Sequence, residues 1–244
     1  MDSGYYAAFT GLAARLQALD VVANNLANVG TTGFRGQFEY YASVSAGIGN
    51  QLLSPINIAA NDYGVLGGAD IDLGQGSFQS TGNPLDVAIT GNAFFAIQTA
   101  RGVRYTRNGS FHLNAAGQIA NQDEDLVLGP SGPLQLSQGD VAVGRDGAIS
   151  VAGAVAGNLR LVEFAPGTSL LPEGATNFIA PTGAAQDATN SSVSSGMLEA
   201  ANVSPVKETV ELIALQRHSE MLERTLSIFL DDFNRTAVTD LARD

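Results

Sequence analysis

Cysteine and tryptophan are both absent from this chain of 244 residues. Without cysteine there is no disulfide, no thiolate nucleophile and no Cys-ligated metal. Lysine occurs once, at Lys207, and histidine twice, at His112 and His218. Charged residues make up only 15%, against about 25% in ordinary soluble domains. The 12 basic residues face 24 acidic ones, leaving a net charge of −12. An acidic chain with no basic patch argues against nucleic acid and anionic membrane as partners. Nor is a secretory signal expected: Met1-Asp2-Ser3 carries no basic segment, and Arg15 and Asp20 interrupt any apolar run. No stretch reaches the roughly 18 apolar residues that span a bilayer, so the chain is not expected to be membrane-spanning. Composition alone therefore leaves a soluble cytoplasmic protein as the default.

What is present is order at the two ends. Tyr5, Phe9, Leu12, Leu16, Leu19, Ala23 and Leu26 recur at gaps of 4, 3, 4, 3, 4 and 3. That is a heptad stripe, the pattern of a coiled-coil seam. Asn28 and Gly30 close the segment, with Gly30 suited to the left-handed position past a helix end. Between Asp2 and Gly30 the only charges are Asp2, Arg15 and Asp20, too few for an ordinary solvated helix face. Burial against neighbouring copies and burial within a monomer both account for this equally.

A second helix is predicted from Ser204-Pro205, an N-cap followed by proline at the first helical position. Glu208 and Glu211 lie in its early turns, where the helix dipole favours negative charge. Its stripe reads Leu212, Leu215, Ser219, Leu222, Leu226, Phe229 and Phe233, and Val206, Val210 and Ile213 form a second apolar strip upstream. Asp231 and Asp232 oppose the dipole, so fraying is expected there. Pairing the two end stripes is the economical arrangement, and such a pair is expected to be marginal alone and firm only against neighbouring copies.

Between the helices, residues 36–68 read as a loop or extended arm, broken by Gly47, Gly49, Pro55, Gly64, Gly67 and Gly68. From 69 to about 180 the signals are short strands, among them Leu85–Ile89, Phe94–Ile97, Val103–Thr106 and Leu159–Phe164. Asn108-Gly109 predicts a type I′ hairpin between Tyr105–Arg107 and Ser110–Leu113, and Asp146-Gly147 predicts one between Val141–Val143 and Ala148–Val151. Residues 181–195, rich in Gly, Ser and Thr, read as a return linker. The expected fold class is α+β: terminal helices from 1–35 and 196–244, coiled-coil-like and paired, plus a central all-β domain of eight to ten strands.

Candidates for chemistry are few. Asp123-Glu124-Asp125 is the tightest acidic run and reads as a solvated loop, since it lacks the pattern of a calcium loop. His112 reads as a hydrogen-bonded structural residue, and His218 as solvent-facing or interfacial. Arg101, Arg104 and Arg107, at period 3, read as surface ion pairs more readily than as an anion site. No His-Glu-x-x-His, Walker loop or dinucleotide fingerprint occurs. The expectation is a chain with no catalytic residues, metal or cofactor.

Four segments carry a resemblance to a known family. Val22–Arg35, containing Asn24, Asn25, Leu26, Asn28, Gly33 and Phe34, resembles the N-terminal signature of bacterial flagellar rod and hook proteins. Leu85–Phe95, with Asp86 and the pair Phe94-Phe95, is similar to a strand of that family, Arg104–Phe111 to its hairpin, and Ser195–Val203, with Asn202, to the element that introduces its C-terminal helix. The resemblance spans essentially the whole chain. Two departures stand out: Ser219 replaces the family's usual aromatic before Glu220, and Ala201 replaces a usual serine. A chain of this length is similar to the rod proteins rather than the longer hook proteins. The segment Thr81–Asp86 and the start Met1–Tyr6 look more like the proximal than the distal type.

The resemblance implies a structural subunit that polymerises into the axial shaft carrying torque from motor to hook. It implies as partners other rod proteins, copies of itself and the flagellar type III export apparatus, with no nucleic acid and no small-molecule substrate. It places the chain in the periplasmic rod of the basal body, exported without a cleaved signal peptide. Its inner assembly interface would comprise Tyr5, Phe9, Leu12, Leu16, Leu19 and Leu26 with Leu212, Leu215, Leu222, Leu226, Phe229 and Phe233. A β-rich binding or adhesin-like module oligomerised by its end helices, and a hydrolase of the cell-wall glycan, are the other classes.

Overall fold

The computed structural model describes residues 2–42 and 65–241, and the side chains of 9–39, 69–228, 230–231 and 235. The chain divides into two units, one of Met1–Ala27, Gln37–Asp70 and Ser204–Asp244, the other of Asn28–Gly36 and Ile71–Val203.

In the first unit, α1 (Asp2–Ala27) and α2 (Pro205–Leu241) are the long elements. No proline interrupts either beyond the first position of α2, where the missing N–H costs nothing. Glu208 N donates to Ser204 O at 3.0 Å, closing the first turn. The helices run antiparallel. Asn25 meets Glu208 at one end, and Leu222 comes within 3.9 Å of the Cβ position of Gly11 at the other. Between them Ala18, Val22 and Leu215 are buried, with Leu19 and Leu212 packed alongside. Beyond Asp231, where fraying was expected, α2 continues to Leu241.

The buried face of α1 is not the heptad stripe. Ala14, Ala18, Val22 and Asn25 are buried, whereas Phe9 is 54% and Leu16 47% exposed. At 100° per residue the stripe lies about 130° around the helix from that line. Small residues win the intrachain seam because they let the helix axes approach and leave the volume for the leucines of α2. Leu215 and Leu226 are buried within the single chain. Tyr5, Phe229 and Phe233 fall outside the described side chains.

The expected loop at 36–68 is partly strand: β1 (Gln37–Ala42) and β2 (Val65–Ile71) pair in a two-stranded sheet. The rest of that segment lies outside the described residues.

The second unit holds seventeen short strands among the described residues. In chain order they are β3 (Phe78–Ser80), β4 (Val87–Thr90), β5 (Phe94–Thr99), β6 (Gly102–Thr106), β7 (His112–Leu113), β8 (Ile119–Ala120) and β9 (Leu126–Gly129). Then come β10 (Gly132–Pro133), β11 (Val141–Val143), β12 (Ala148–Val151), β13 (Ala154–Asn158), β14 (Leu161–Glu163) and β15 (Leu171–Glu173). Last are β16 (Asn177–Ile179), β17 (Gln186–Asp187), β18 (Ser192–Ser195) and β19 (Met197–Glu199). A ten-stranded sheet has the order β15-β16-β6-β5-β9-β8-β7, with β10, β14 and β17 branching from it; β11-β12-β13, β18-β4 and β19-β3 form smaller sheets.

β5 is covered on both faces. Its adjacent phenylalanines point to opposite sides, as strand pleating demands. Phe95 enters one core beside Phe111, 5.1 Å between centroids, and Phe94 enters another with Phe164 at 5.5 Å and Phe178 at 5.7 Å.

Two expectations are corrected here. Asn108-Gly109 does not turn a hairpin, because β6 pairs with β5 and β16 while β7 pairs with β8. Glycine is required there by close approach: a Cβ at Gly109 would sit 1.7 Å from Val87 O, whose own N–H donates to Gly109 O. Nor is 181–195 a plain linker. β17 pairs with β14, and β18 pairs along β4 from Ser192↔Thr90 to Ser195↔Val87, burying Val193. Short strands of Ser and Gly carry no strong periodic signal, so their pairing comes from the strands they join. The Asp146-Gly147 hairpin between β11 and β12 is present, with Gly147 at φ 81°.

Candidate functional site

Three segments that are distant in sequence meet around one buried carboxylate, that of Glu199. Arg35 Nη2 donates to Glu199 Oε1 at 2.8 Å, and Arg107 Nη1 to Oε2 at 3.4 Å. Gly76 N also donates to Oε1 at 2.8 Å. All three charged side chains are buried. Arg107 has further support: its Nη2 donates to Gly91 O at 2.6 Å and its guanidinium lies 4.8 Å from the Phe94 ring centre. Two guanidiniums thus face one carboxylate, and Arg35 Nε, Arg35 Nη1 and Arg107 Nε have no hydrogen-bond partner among the described residues. Burial, together with the neighbouring Arg35 charge, lowers the Arg107 pKa to about 10.

Backbone packing brings the three segments together. Gly33 sits at φ 70°, and a Cβ there would lie 2.3 Å from Asn108 N, so the Thr32-Gly33-Phe34 turn admits only glycine. Gly33 N donates to Glu199 O at 2.7 Å. It is Gly33, not Gly30, that takes the left-handed conformation after α1. Phe34 is buried beside it in the chain. Asn202 closes the other side: its Oδ1 accepts from Gly36 N at 2.7 Å, and its Nδ2 donates to Asp72 O and Gly74 O. Asp86 is buried, accepts from Asn83 Nδ2 at 3.0 Å, and offers its backbone carbonyl to Gly196 and Met197.

Within the helical unit, Asn25 does comparable work. It exchanges two hydrogen bonds with the Gln37 backbone, at 2.8 and 2.9 Å, and donates to Glu208 Oε2 at 3.3 Å. Asn24 points outward on the exposed side of α1, and Leu26 and Asn28 are half-buried.

The remaining candidates are superficial. Arg101 and Arg104 both pair with Glu173, holding its carboxyl below the usual range, chiefly through the Arg104 hydrogen bond. His112 Nε2 lies 3.2 Å from Glu124 Oε1 at the surface. Asn121 Oδ1 caps the acidic run by accepting from Asp123 N and Asp125 N. No group of three or more metal-ligating side chains occurs among the described residues.

The helices present apolar surface on their outer faces. On α2, Val206, Val210, Ile213, Met221 and Ile228 are exposed on the side turned about 180° from the buried seam. Arg217 and Arg224 sit among them around a shallow groove of about 550 Å³. Half of that strip, Val206, Val210 and Ile213, is legible in the sequence. Its continuation through Met221 and Ile228 is masked by the intervening Arg217 and Glu220. Of the Glu199 cluster, only Arg107 stands out for its charge in the sequence, where it reads as a surface ion pair with Arg101 and Arg104. The structure buries it against Phe94 and Glu199 instead. Arg35 and Glu199 stand only as parts of the resembling segments.

Comparisons with known proteins follow the same three segments. Residues 6–35 match the family described as flagella basal body rod protein, 88–151 the flagellar hook protein FlgE/F/G D1 domain, and 194–228 the flagellar basal body rod FlgEFG protein C-terminal. The flagellar basal-body rod protein FlgF of Mesorhizobium japonicum is 33% identical over 226 residues, covering 90% of both chains. The chain belongs to the flagellar basal-body rod protein family. It is a structural subunit of the flagellar rod. FlgF of Caulobacter vibrioides is 32% identical over 100% of this chain and 99% of its own, and FlgG of Agrobacterium fabrum is 33% identical over 90% and 92%. Each member of the ion cluster of this rod protein falls in a different matched segment: Arg35 in the first, Arg107 in the second, Glu199 in the third. Among the described residues no helix is long and apolar enough to cross a membrane.

Proposed function

We propose that this rod subunit polymerises through the outer faces of its terminal helices, with neighbouring copies and other rod proteins as partners. The observation that carries this reading is the double-sided character of α2. A helix that buries Leu215 and Leu226 inside its own chain still exposes Val206, Val210, Ile213, Met221 and Ile228 on the opposite face. A solvated helix carries polar residues there. Each such side chain is worth about 1.5–3 kcal/mol when buried, so the strip stores on the order of 10 kcal/mol for a contact with another chain. On α1, Phe9 and Leu16 supply a matching exposed edge, with Leu12, Leu19 and Leu26 between it and the intrachain seam. Heterologous contacts that do not close generate a helical tube, the form a torque-bearing shaft needs.

Placement in the proximal rod, passage through the type III export apparatus without a cleaved signal, folding in the periplasm and the lack of any catalysis complete the proposal. They are supported by the full-length likeness to FlgF chains and by the structural character of the family. The test is sedimentation of the full chain with and without the paired change Val210→Asp and Met221→Asp. Loss of assembly with unchanged far-UV circular dichroism is the expected result. Unimpaired assembly would overturn the proposal.

A further inference from the structure

We infer that β13 is an inter-subunit strand, whose free edge pairs with a strand of a second copy of this chain. The inference rests on the rod-subunit reading above. β13 bonds to β12 along one side and ends its sheet, and no described strand pairs with its other side. A free edge offers a row of backbone N–H and C=O groups to any extended partner. Proteins ordinarily blunt such edges, and this one does so elsewhere. The end strand β15 carries Pro172 at its centre and Glu173 bound by Arg101 and Arg104, while the opposite end strand β7 is two residues long and places His112 against Glu124. β13 has none of these guards. Ala154, Val155 and Ala156 are all exposed, Val155 at 73%.

The rod-subunit reading supplies the occupant, a second copy, and charge says where two copies can meet. No acidic or basic residue occurs from 147 to 159, between Asp146 and Arg160, in a chain that carries −12 overall. Copies of so acidic a chain repel one another over most of their surface. An uncharged edge strand is where that repulsion is least and where backbone pairing desolvates no ionised group. A basic partner would find no carboxylate there to recognise. A like chain requires none.

The experiment is hydrogen–deuterium exchange on the full chain, dilute and assembled, read separately for peptides covering 152–160 and 206–228. Slowing of both on assembly, by about tenfold or more, is the expected result. Slowing at 206–228 without slowing at 152–160 would overturn the inference and leave the helix proposal standing. No slowing at either would overturn both. Val155→Lys, at an exposed position, keeps the fold and is expected to raise the concentration needed for assembly several-fold. Assembly of V155K at the unchanged concentration would also overturn the inference.

Discussion

Arg35 and Glu199, 164 positions apart, form a fully buried ion pair with 2.8 Å between Nη2 and Oε1. Arg107 shares the same carboxylate, so two guanidiniums divide one hydrogen-bonded carboxylate, with Glu163 acting on Arg107 only as a more distant charge. A buried ion pair is weak evidence of stabilisation in itself, but removing one partner from such a pair is costly. The imbalance makes the two partners of the pair unequal.

Glu199→Leu leaves two buried guanidiniums with no hydrogen-bonded carboxylate and is expected to destabilise the β unit by about 3–5 kcal/mol. Arg35→Met leaves one guanidinium matched to one carboxylate and removes two unpartnered N–H groups, so its cost is expected to be well under half as large. Urea unfolding followed by near-ultraviolet circular dichroism compares them. Equal costs would refute the charge-balance argument.

Burial of the Arg107 guanidinium, reinforced by the nearby Arg35 charge, predicts an alkaline signature. Arg107 has a pKa of about 10 in the folded chain, well below that of a free guanidinium. The unfolded chain therefore binds more protons than the folded one between the folded and free values, and stability contributed by this group rises with pH there. Below pH 10 the penalty of burying its charge is fully present. The stability difference between the native chain and Arg107→Met should shift in favour of the native chain from pH 9 to 11.5, by at most about 1.4 kcal/mol per unit. A flat difference over that range would contradict the assignment.

Gly30 and Gly33 stand three residues apart and should behave oppositely. A Cβ at Gly30 meets nothing within 4 Å and its φ is ordinary, whereas Gly33 combines φ 70° with a 2.3 Å approach to Asn108 N. Gly30→Ala is expected to be neutral within about 0.5 kcal/mol. Gly33→Ala should separate the Arg35 segment from Glu199, seen as a large drop in melting temperature.

Ala152 occupies a left-handed position at φ 50°, next to Gly153 at φ 84°, in the two-residue turn linking β12 to β13. A left-handed alanine costs roughly 1 kcal/mol that asparagine or glycine largely avoids. Ala152→Asn is expected to raise the melting temperature by about 3 °C. No change, or a fall, would show the turn to be unstrained.

The amino-acid sequence by itself determined the features that depend on neighbours in the chain. Pro205 after Ser204 marks the start of α2, the 3–4 spacing from Leu212 to Leu226 marks the face it buries, and Phe94–Ile97 marks a strand. Cysteine's absence excluded any covalent brace, so the fold is held by packing and by the Glu199 cluster. Tertiary structure alone decided what those features met. Periodicity shows that α1 has an apolar stripe, but which face turns inward depends on the shape of α2. There the leucines leave room only for Ala14, Ala18 and Val22, and Phe9 and Leu16 are left outside. Asn108-Gly109 has the local chemistry of a hairpin, yet the approach of Val87 dictates its conformation. Arg35, Arg107 and Glu199 lie far apart in sequence, and only a fold that closes two long loops can bring them into contact.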